Sequence, residues 1–191
     1  MEYRFGKAEK SETAEIFRLY EKRVHWMDDV GIRQWNVTGY LTAYPLAYYQ
    51  KEQEEGALYV LREKKTGRPV GAVVLLSSDA GWEDSDTVPA FYLHRLVTDP
   101  AVCGAGKILV AEAEWLAKAA GKARVRLDCA ADSVFLNRYY ESLGYLPVGR
   151  CTDGPYIGIR REKILPTDSG QPASSPDGTP SSGKNRRNVT V

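Results

Sequence analysis

The stretch from Phe91 to Tyr145 limits what this chain can fold into more than any other. Its parts follow one another in a fixed order. An apolar strand-like run ends in Leu96-Val97-Thr98, and a tight turn with Gly104 and Gly106 opens an alanine-rich helix running to Gly121. A second strand from Arg124 to Asp128 leads into a second helix that closes with Tyr140-Glu-Ser-Leu-Gly144-Tyr145. A glycine turn between a strand and a helix lets backbone N–H groups approach a phosphate, while the helix N-terminus adds partial positive charge. The segment is therefore a candidate anion cradle.

Spacing separates the motifs that compete for Cys103-Gly-Ala-Gly-Lys-Ile108. A phosphate-binding Walker A loop needs a glycine five positions before its Gly-Lys and a Ser or Thr after it; Ala101 and Ile108 occupy those places. A dinucleotide fingerprint needs a third glycine where Leu109 stands, although Asp128 does lie about 20 residues downstream as that motif asks. A dinucleotide fold also begins its parallel run with the fingerprint strand. Here three strands of antiparallel type come first.

Taken whole, the segment resembles the acetyl-CoA-binding core of the GNAT acyltransferase superfamily. The family pattern is a strand ending in an apolar pair, a Gln/Arg-x-x-Gly-x-Gly/Ala turn, a helix, a strand, then Asn and a helix closing with Tyr-Glu-x-x-Gly-Phe. The matching residues are Leu96-Val97-Thr98, Gly104-Ala-Gly106, Val125-Arg-Leu-Asp128 and Tyr140 to Tyr145. Two positions depart from it. Ala101, or Cys103 if the register is slid by two, stands where the turn opens with a basic or amide residue, which leaves the phosphate to backbone amides and Lys107. Ser133, beside Asp132, replaces the Asn seven residues before the tyrosine, and Asn137 lies one helical turn further on.

The resemblance implies an α/β (α+β) fold with a GNAT-like central mixed, mostly antiparallel twisted sheet and helices on both faces. It implies acetyl-CoA as co-substrate and acetyl transfer to a primary amine of a small molecule or peptide. Cofactor contacts carry over to Leu96, Val97 and Thr98 on the central strand, to Gly104, Ala105, Gly106, Lys107 and Ile108 at the turn, and to Ser133 and Asn137. The main chain of Leu96 to Thr98 would polarise the thioester carbonyl and pair with the pantothenate arm, so Val97 is expected to tolerate side-chain changes but not proline. Tyr140 is the expected general acid for the leaving thiolate, against the alternative of a packed aromatic capping the site.

The base is open. His94 lies on the central strand, histidine as a residue type suits proton transfer near neutral pH, and simple alternation puts it on one face with Tyr92 and Leu96. A histidine bonded into the sheet, a water-mediated Glu83, Asp84 or Asp86, or no dedicated base are the alternatives. Trp26, Trp35, Tyr40, Tyr44, Tyr48 and Tyr49 concentrate in the region that builds the acceptor site in this family, which suits an aromatic or a cationic amine. Other readings are a degenerate family member that binds CoA or a ligand in a regulatory role, and an interaction module working through its tail.

Composition narrows the partners. At 191 residues the chain is sized for one domain, residues 1–165, and a net charge of +1 without long runs of one sign leaves no footprint for nucleic acid. No apolar stretch matches a membrane span and no signal-peptide core follows Met1, so a cytoplasmic monomer or homodimer without membrane association is expected. Cys103, Cys129 and Cys151 are odd in number and widely spaced, and with His25 and His94 alone they point to no metal site and no disulfide framework. Cys103, near a helix start, is either a reactive thiol or a small turn residue.

Before the core segment, a strand at Tyr3 to Gly6 precedes a helix from Ser11, as N-cap, to Asp28, with Ile16, Leu19, Tyr20, Val24 and Met27 at helical spacing. A further helix begins at Pro45 and stops near Gly56. Leu58 to Arg62 and Val70 to Leu76 form a hairpin about Lys65-Thr-Gly-Arg. Residues 166–191, rich in Pro, Ser, Gly and Thr, cannot bury enough surface to offset ordering entropy and are expected to be a disordered tail.

Overall fold

The computed structural model describes residues 2–85, 87–154 and 156–166. The expectation for the tail falls, beyond Pro166, outside the described residues. Seven strands form one sheet: β1 (Tyr3–Lys7), β2 (Leu58–Glu63), β3 (Pro69–Leu76), β4 (Ala90–Thr98), β5 (Arg124–Ala130), β6 (Leu146–Asp153) and β7 (Tyr156–Ile164). The order across it is β1-β2-β3-β4-β5-β7-β6. All neighbours are antiparallel except β4 and β5. Helices α1 (Thr13–Asp29), α2 (Tyr40–Ala43) and α3 (Leu46–Glu54) lie on one face, and α4 (Ala105–Ala119) and α5 (Val134–Ser142) on the other. The sheet is the mixed, mostly antiparallel one expected, with helices on both faces.

Two apolar cores follow from strand alternation. Leu58, Val60, Ala72, Val74 and Val97 face α1 and α3, meeting Ile16, Leu19, Tyr20 and Tyr49. Leu61, Val73, Leu75, Leu93, Val125 and Leu127 face the other way, onto Leu109, Val110, Ala113 and Tyr145. Gly71 lets α4 sit close to β3, since a Cβ there would stand 2.7 Å from Leu109 Cδ1.

Several local expectations are corrected. Ser11 does not cap α1; a 3-10 turn over Lys10–Glu12 precedes it, and Glu9 and Glu12 cap that turn reciprocally, the Glu9 amide donating to Glu12 at 2.7 Å. Arg62 then fixes Glu12 from β2, Nε to Oε1 at 2.5 Å. The hairpin β6–β7 was not anticipated, although Asp153-Gly154 supplies its turn. Val97 is 1% exposed in the first core, so changes of its side chain disturb packing and are not freely tolerated.

The most consequential correction lies in β4. Its register against β3 runs Leu76↔Tyr92, Leu75↔Leu93, Val74↔His94 and then jumps to Ala72↔Val97. One extra residue is accommodated at Arg95, the one non-glycine residue with positive φ (54°) among those described. After this bulge the alternation is reset. His94 stays on the α1/α3 side with Val97, while Leu96 turns to the α4 side and packs on that core. His94 and Leu96 therefore do not share a face.

Helix α1 fastens β4 through polar contacts. Tyr20 Oη donates to the Arg95 carbonyl at 2.6 Å, and Arg23 donates to the Thr98 carbonyl and to Oγ1, each at 2.7 Å. Just beyond, Asp99, 2% exposed, accepts from Lys22 at 2.6 Å, Arg68 at 2.8 Å and the Ala101 amide at 2.9 Å. Burial alone would raise the Asp99 pKa, but these three donors outweigh it and hold the carboxyl at about 2. Because the folded value lies below the ordinary one, the stabilisation is complete above about pH 4 and is lost as pH falls toward 2. Asp99→Asn is expected to lower stability at pH 7 by about 2 kcal/mol, discounted for two half-exposed cations. Urea unfolding at pH 7 and pH 3 should show the gap to the parent narrowing at the lower pH.

Candidate active site

The site begins where the sheet comes apart. β4 is paired along its length with β3, but with β5 only over Ala90↔Arg124, Phe91↔Val125 and Tyr92↔Arg126. From Leu93 onward its β5-facing edge has no strand partner, while β5 stays paired with β7 on its other edge. Such an edge offers N–H and C=O groups to an extended ligand that lies down as a further strand. Leu96, Val97 and Thr98 all fall on this free length.

Next to it α4 begins. Gly104 is its N-cap with φ 81°, a left-handed conformation that glycine adopts without strain. Ile108 is the first amide bonded within the helix, to the Gly104 carbonyl at 3.3 Å, which leaves the amides of Ala105, Gly106 and Lys107 as the open donors. Lys107 is exposed and Ile108 packs on the core. Above the turn, the Tyr139 hydroxyl is buried without a partner, and a Cβ on Gly106 would stand 2.9 Å from it. A missing side chain, three free amides and an orphaned hydroxyl suit an anionic ligand at the helix start.

Tyr140 comes from α5 and packs in the core on the α4 side of the sheet. It is 7% exposed, lies edge-on to Tyr139 and Tyr145 with centroids 5.2 and 5.9 Å away, and feels Cys129 and Asp128 at the end of β5. Burial raises its pKa well above the ordinary phenol value, so it stays protonated at neutral pH. Ser133 and Asn137 are occupied within the protein. Ser133 caps α5 by accepting from the Leu136 amide at 3.3 Å. Asn137 donates to the Ala130 and Ser133 carbonyls, both at 2.9 Å, and accepts from Arg161 at 2.9 Å. Ser133 thus starts α5, and Asn137 holds it against the end of β5.

On the opposite face of β4 stands a charged group. His94 Nε2 lies 3.0 Å from Asp79 Oδ2, and Asp79 Oδ1 accepts from the Gly81 amide at 2.8 Å. The bond to His94 is the main reason the Asp79 pKa is lowered. Glu52 of α3, 7% exposed, has an unpartnered Oε2, and its pKa is raised by burial. Arg95 stacks on Tyr44, 3.4 Å from the ring centroid, with Nε buried and unpartnered. Tyr156 donates to Asp128 at 2.5 Å on the adjoining strands.

The aromatic cluster of the sequence is largely a stacked ladder. Tyr20, Tyr40 and Tyr49 are buried, Trp35 stacks on Tyr40 at 4.2 Å and Tyr20 on Tyr49 at 4.3 Å. Tyr44 and Tyr48 are partly exposed at its end, and Trp26 lies apart under Arg23. Of the acidic loop residues, Asp84 is bound by Arg126 through two contacts of 2.8 Å, and Asp86 is outside the described residues. Glu52, Asp79, Arg95 and Tyr139 were missed. Asp79 announces itself only through an Asp-x-Gly turn, and Arg95 only once the bulge is known. Among the described residues no group of three or more His, Cys, Asp or Glu is arranged for a metal, and no helix is long and apolar enough to cross a membrane.

The family model described as Acetyltransferase (GNAT) family matches residues 14–145. A Bacillus subtilis protein, "Uncharacterized N-acetyltransferase YesJ", is 30% identical over 149 residues, 74% of this chain and 81% of that protein. Among solved structures, a GNAT-family acetyltransferase from Listeria monocytogenes superposes with a TM-score of 0.73 at 22% identity, over 86% of this chain and 96% of that one. The putative acetyltransferase yncA of Salmonella typhimurium, solved with acetyl-CoA, gives a TM-score of 0.59 at 18% identity over 90% and 98%.

Tyr139→Phe separates ligand contact from packing. Loss of a buried, unpartnered hydroxyl is expected to leave the unfolding free energy within about 1 kcal/mol of the parent. Calorimetric titration with CoA should show affinity weakened by about tenfold, the worth of one hydrogen bond to a charged group.

Proposed function

The chain belongs to the Acetyltransferase (GNAT) family, and we propose that it transfers the acetyl group of acetyl-CoA to a primary amine of a small molecule or peptide. Acetyl-CoA is the family's co-substrate. The observation that carries the reading is the free edge of β4 flanked on one side by the open amides of α4 and Tyr140 and on the other by the His94–Asp79 pair.

Each need of the reaction has a group of this chain to meet it. An ionised Asp79 is an acceptor only, so its bond to Nε2 requires the proton of neutral His94 to sit on that nitrogen. The Nδ1 lone pair is then free to take the amine's proton, with Asp79 as positioning residue. As the C–N bond forms, negative charge grows on the carbonyl oxygen, for which main-chain N–H groups of Leu96 to Thr98 are the donors. As the C–S bond breaks, the thiolate takes the proton of Tyr140. The arm of the co-substrate lies along β4 and its phosphates at Gly104 to Lys107.

Tyr140→Phe is expected to lower kcat about 100-fold while acetyl-CoA affinity stays within about twofold. His94→Gln is expected to remove the acidic limb of the kcat/KM pH profile, and Asp79→Asn to lower kcat without removing that limb. Thiol release against a panel of amines measures all three. An unchanged profile in His94→Gln would rule out histidine as the base.

A further inference from the structure

The acceptor side of β4 holds two charges that the protein brings close and leaves uncompensated. Glu52 enters from α3, nine-tenths buried, and its Oε2 meets no donor. Arg95 enters from the β4 bulge; its Nε is buried without a partner, and among the described residues it makes no ion pair. They do not neutralise one another. Both lie instead against the phenol of Tyr48, which Glu52 pushes up and Arg95 pulls down in pKa, with burial the largest influence and a resulting value of about 12. The Tyr48 hydroxyl thus lies between the carboxylate and the guanidinium and engages both, while Glu52 Oε2 and Arg95 Nε stay without partners.

Burying a charge without a partner is costly, and here two such atoms are shut off from solvent beside side chains that are themselves partly exposed. Tyr44, Tyr48, His94 and Arg95 are all partly exposed there. One face of Tyr44 is already covered by Arg95 at 3.4 Å. What the cluster lacks is one anion beside Arg95 and one cation beside Glu52. His94 lies on the same side of the sheet, and Glu52 feels it electrostatically.

We propose that the acceptor is a zwitterion of the α-amino acid class, its carboxylate held by Arg95 and its ammonium by Glu52 beside His94. The assignment rests on the acetyl-transfer reading for the chemistry but not for the binding. In the step itself the ammonium gives one proton to His94, which passes it to solvent, the nitrogen attacks the thioester carbonyl, the C–S bond breaks as Tyr140 protonates the thiolate, and the second N–H proton, taken by His94 from the adduct, is returned through solvent to the Tyr140 phenolate. The product keeps the carboxylate on Arg95 but has lost the positive charge on nitrogen. Glu52 no longer has a cation to hold, which favours release.

The test uses the full chain saturated with CoA. Binding of each of the standard L-amino acids is measured by calorimetry beside its carboxamide and, for L-phenylalanine, beside 2-phenylethylamine. At least one amino acid is expected to bind about tenfold or more tightly than its amide, the margin of a charge-assisted, bidentate contact. Arg95→Gln is expected to erase that margin while CoA affinity is unchanged. Glu52→Gln is expected to weaken the amino acid and the amide alike, so the carboxylate preference survives; this second variant covers a failure of the first to fold. Amides binding as well as their acids, a preference that outlasts Arg95→Gln, or binding by no amino acid at all would overturn the proposal. Thiol release from acetyl-CoA with the same compounds decides the transfer reading separately: selective binding without release sinks transfer and leaves the zwitterion site standing.

Discussion

The parallel contact between β4 and β5 ends after three residue pairs, and the rest of the structure is arranged around that break. A strand that loses its neighbour inside a sheet exposes a row of unsatisfied backbone groups, which a protein normally covers or pairs. On its other edge β5 stays paired with β7 throughout, from Arg124↔Ile164 to Ala130↔Gly158, so it remains in the sheet as it leaves β4. Asn137, bonded to Ala130 and Arg161, fixes α5, which carries Tyr140, to the end of β5.

The opposite side of the break is held by α1 and the bulge. A left-handed Arg95 carries a strain of about 1–2 kcal/mol. Tyr20 takes its carbonyl, Tyr44 takes its guanidinium, and Arg23 takes the Thr98 carbonyl three residues later, so the strained conformation is determined from several directions. The extra residue has a clear geometric effect. It lets β4 present Leu96 to one core and both His94 and Val97 to the other, which regular alternation forbids. Under the proposed function one strand would serve the co-substrate along its edge and the acceptor on its α1/α3 face.

Much of this was legible from residue order. Gly104 and Gly106 before an alanine-rich helix, and Tyr140 four residues before Gly144, are local signals, and local signals survive folding because they depend on backbone conformation alone. The hairpin β6–β7 was not legible for the opposite reason. β6 is an edge strand with Pro147 and Gly149 inside it and almost no buried face, so it carries no alternation to read. Arg95 and Glu52 escaped notice because a charged residue in a strand or helix reads as solvated surface. Only the bulge turns the first inward, and only the fit of α3 over the Tyr20–Tyr49 stack buries the second. Asp79 depends on a loop whose closure on His94 spans 15 residues.

The relation between Glu52 and Arg95 has a cost that bears on how such a site remains open. Had the two side chains met directly, each would have satisfied the other, and a ligand would have had to displace an ion pair to enter. Separated by Tyr48, Glu52 Oε2 and Arg95 Nε stay unpaired, and the fold carries a desolvation penalty that the proposed zwitterionic ligand would relieve on binding. The penalty is tolerable because neither group stands alone in the structure. The ring of Tyr44 supports the cation, and the Tyr48 hydroxyl engages the carboxylate. Burial raises the pKa of Glu52 and a cation brought beside it favours the ionised form, so in the proposed site the charge on the carboxylate and the arrival of the amine are coupled.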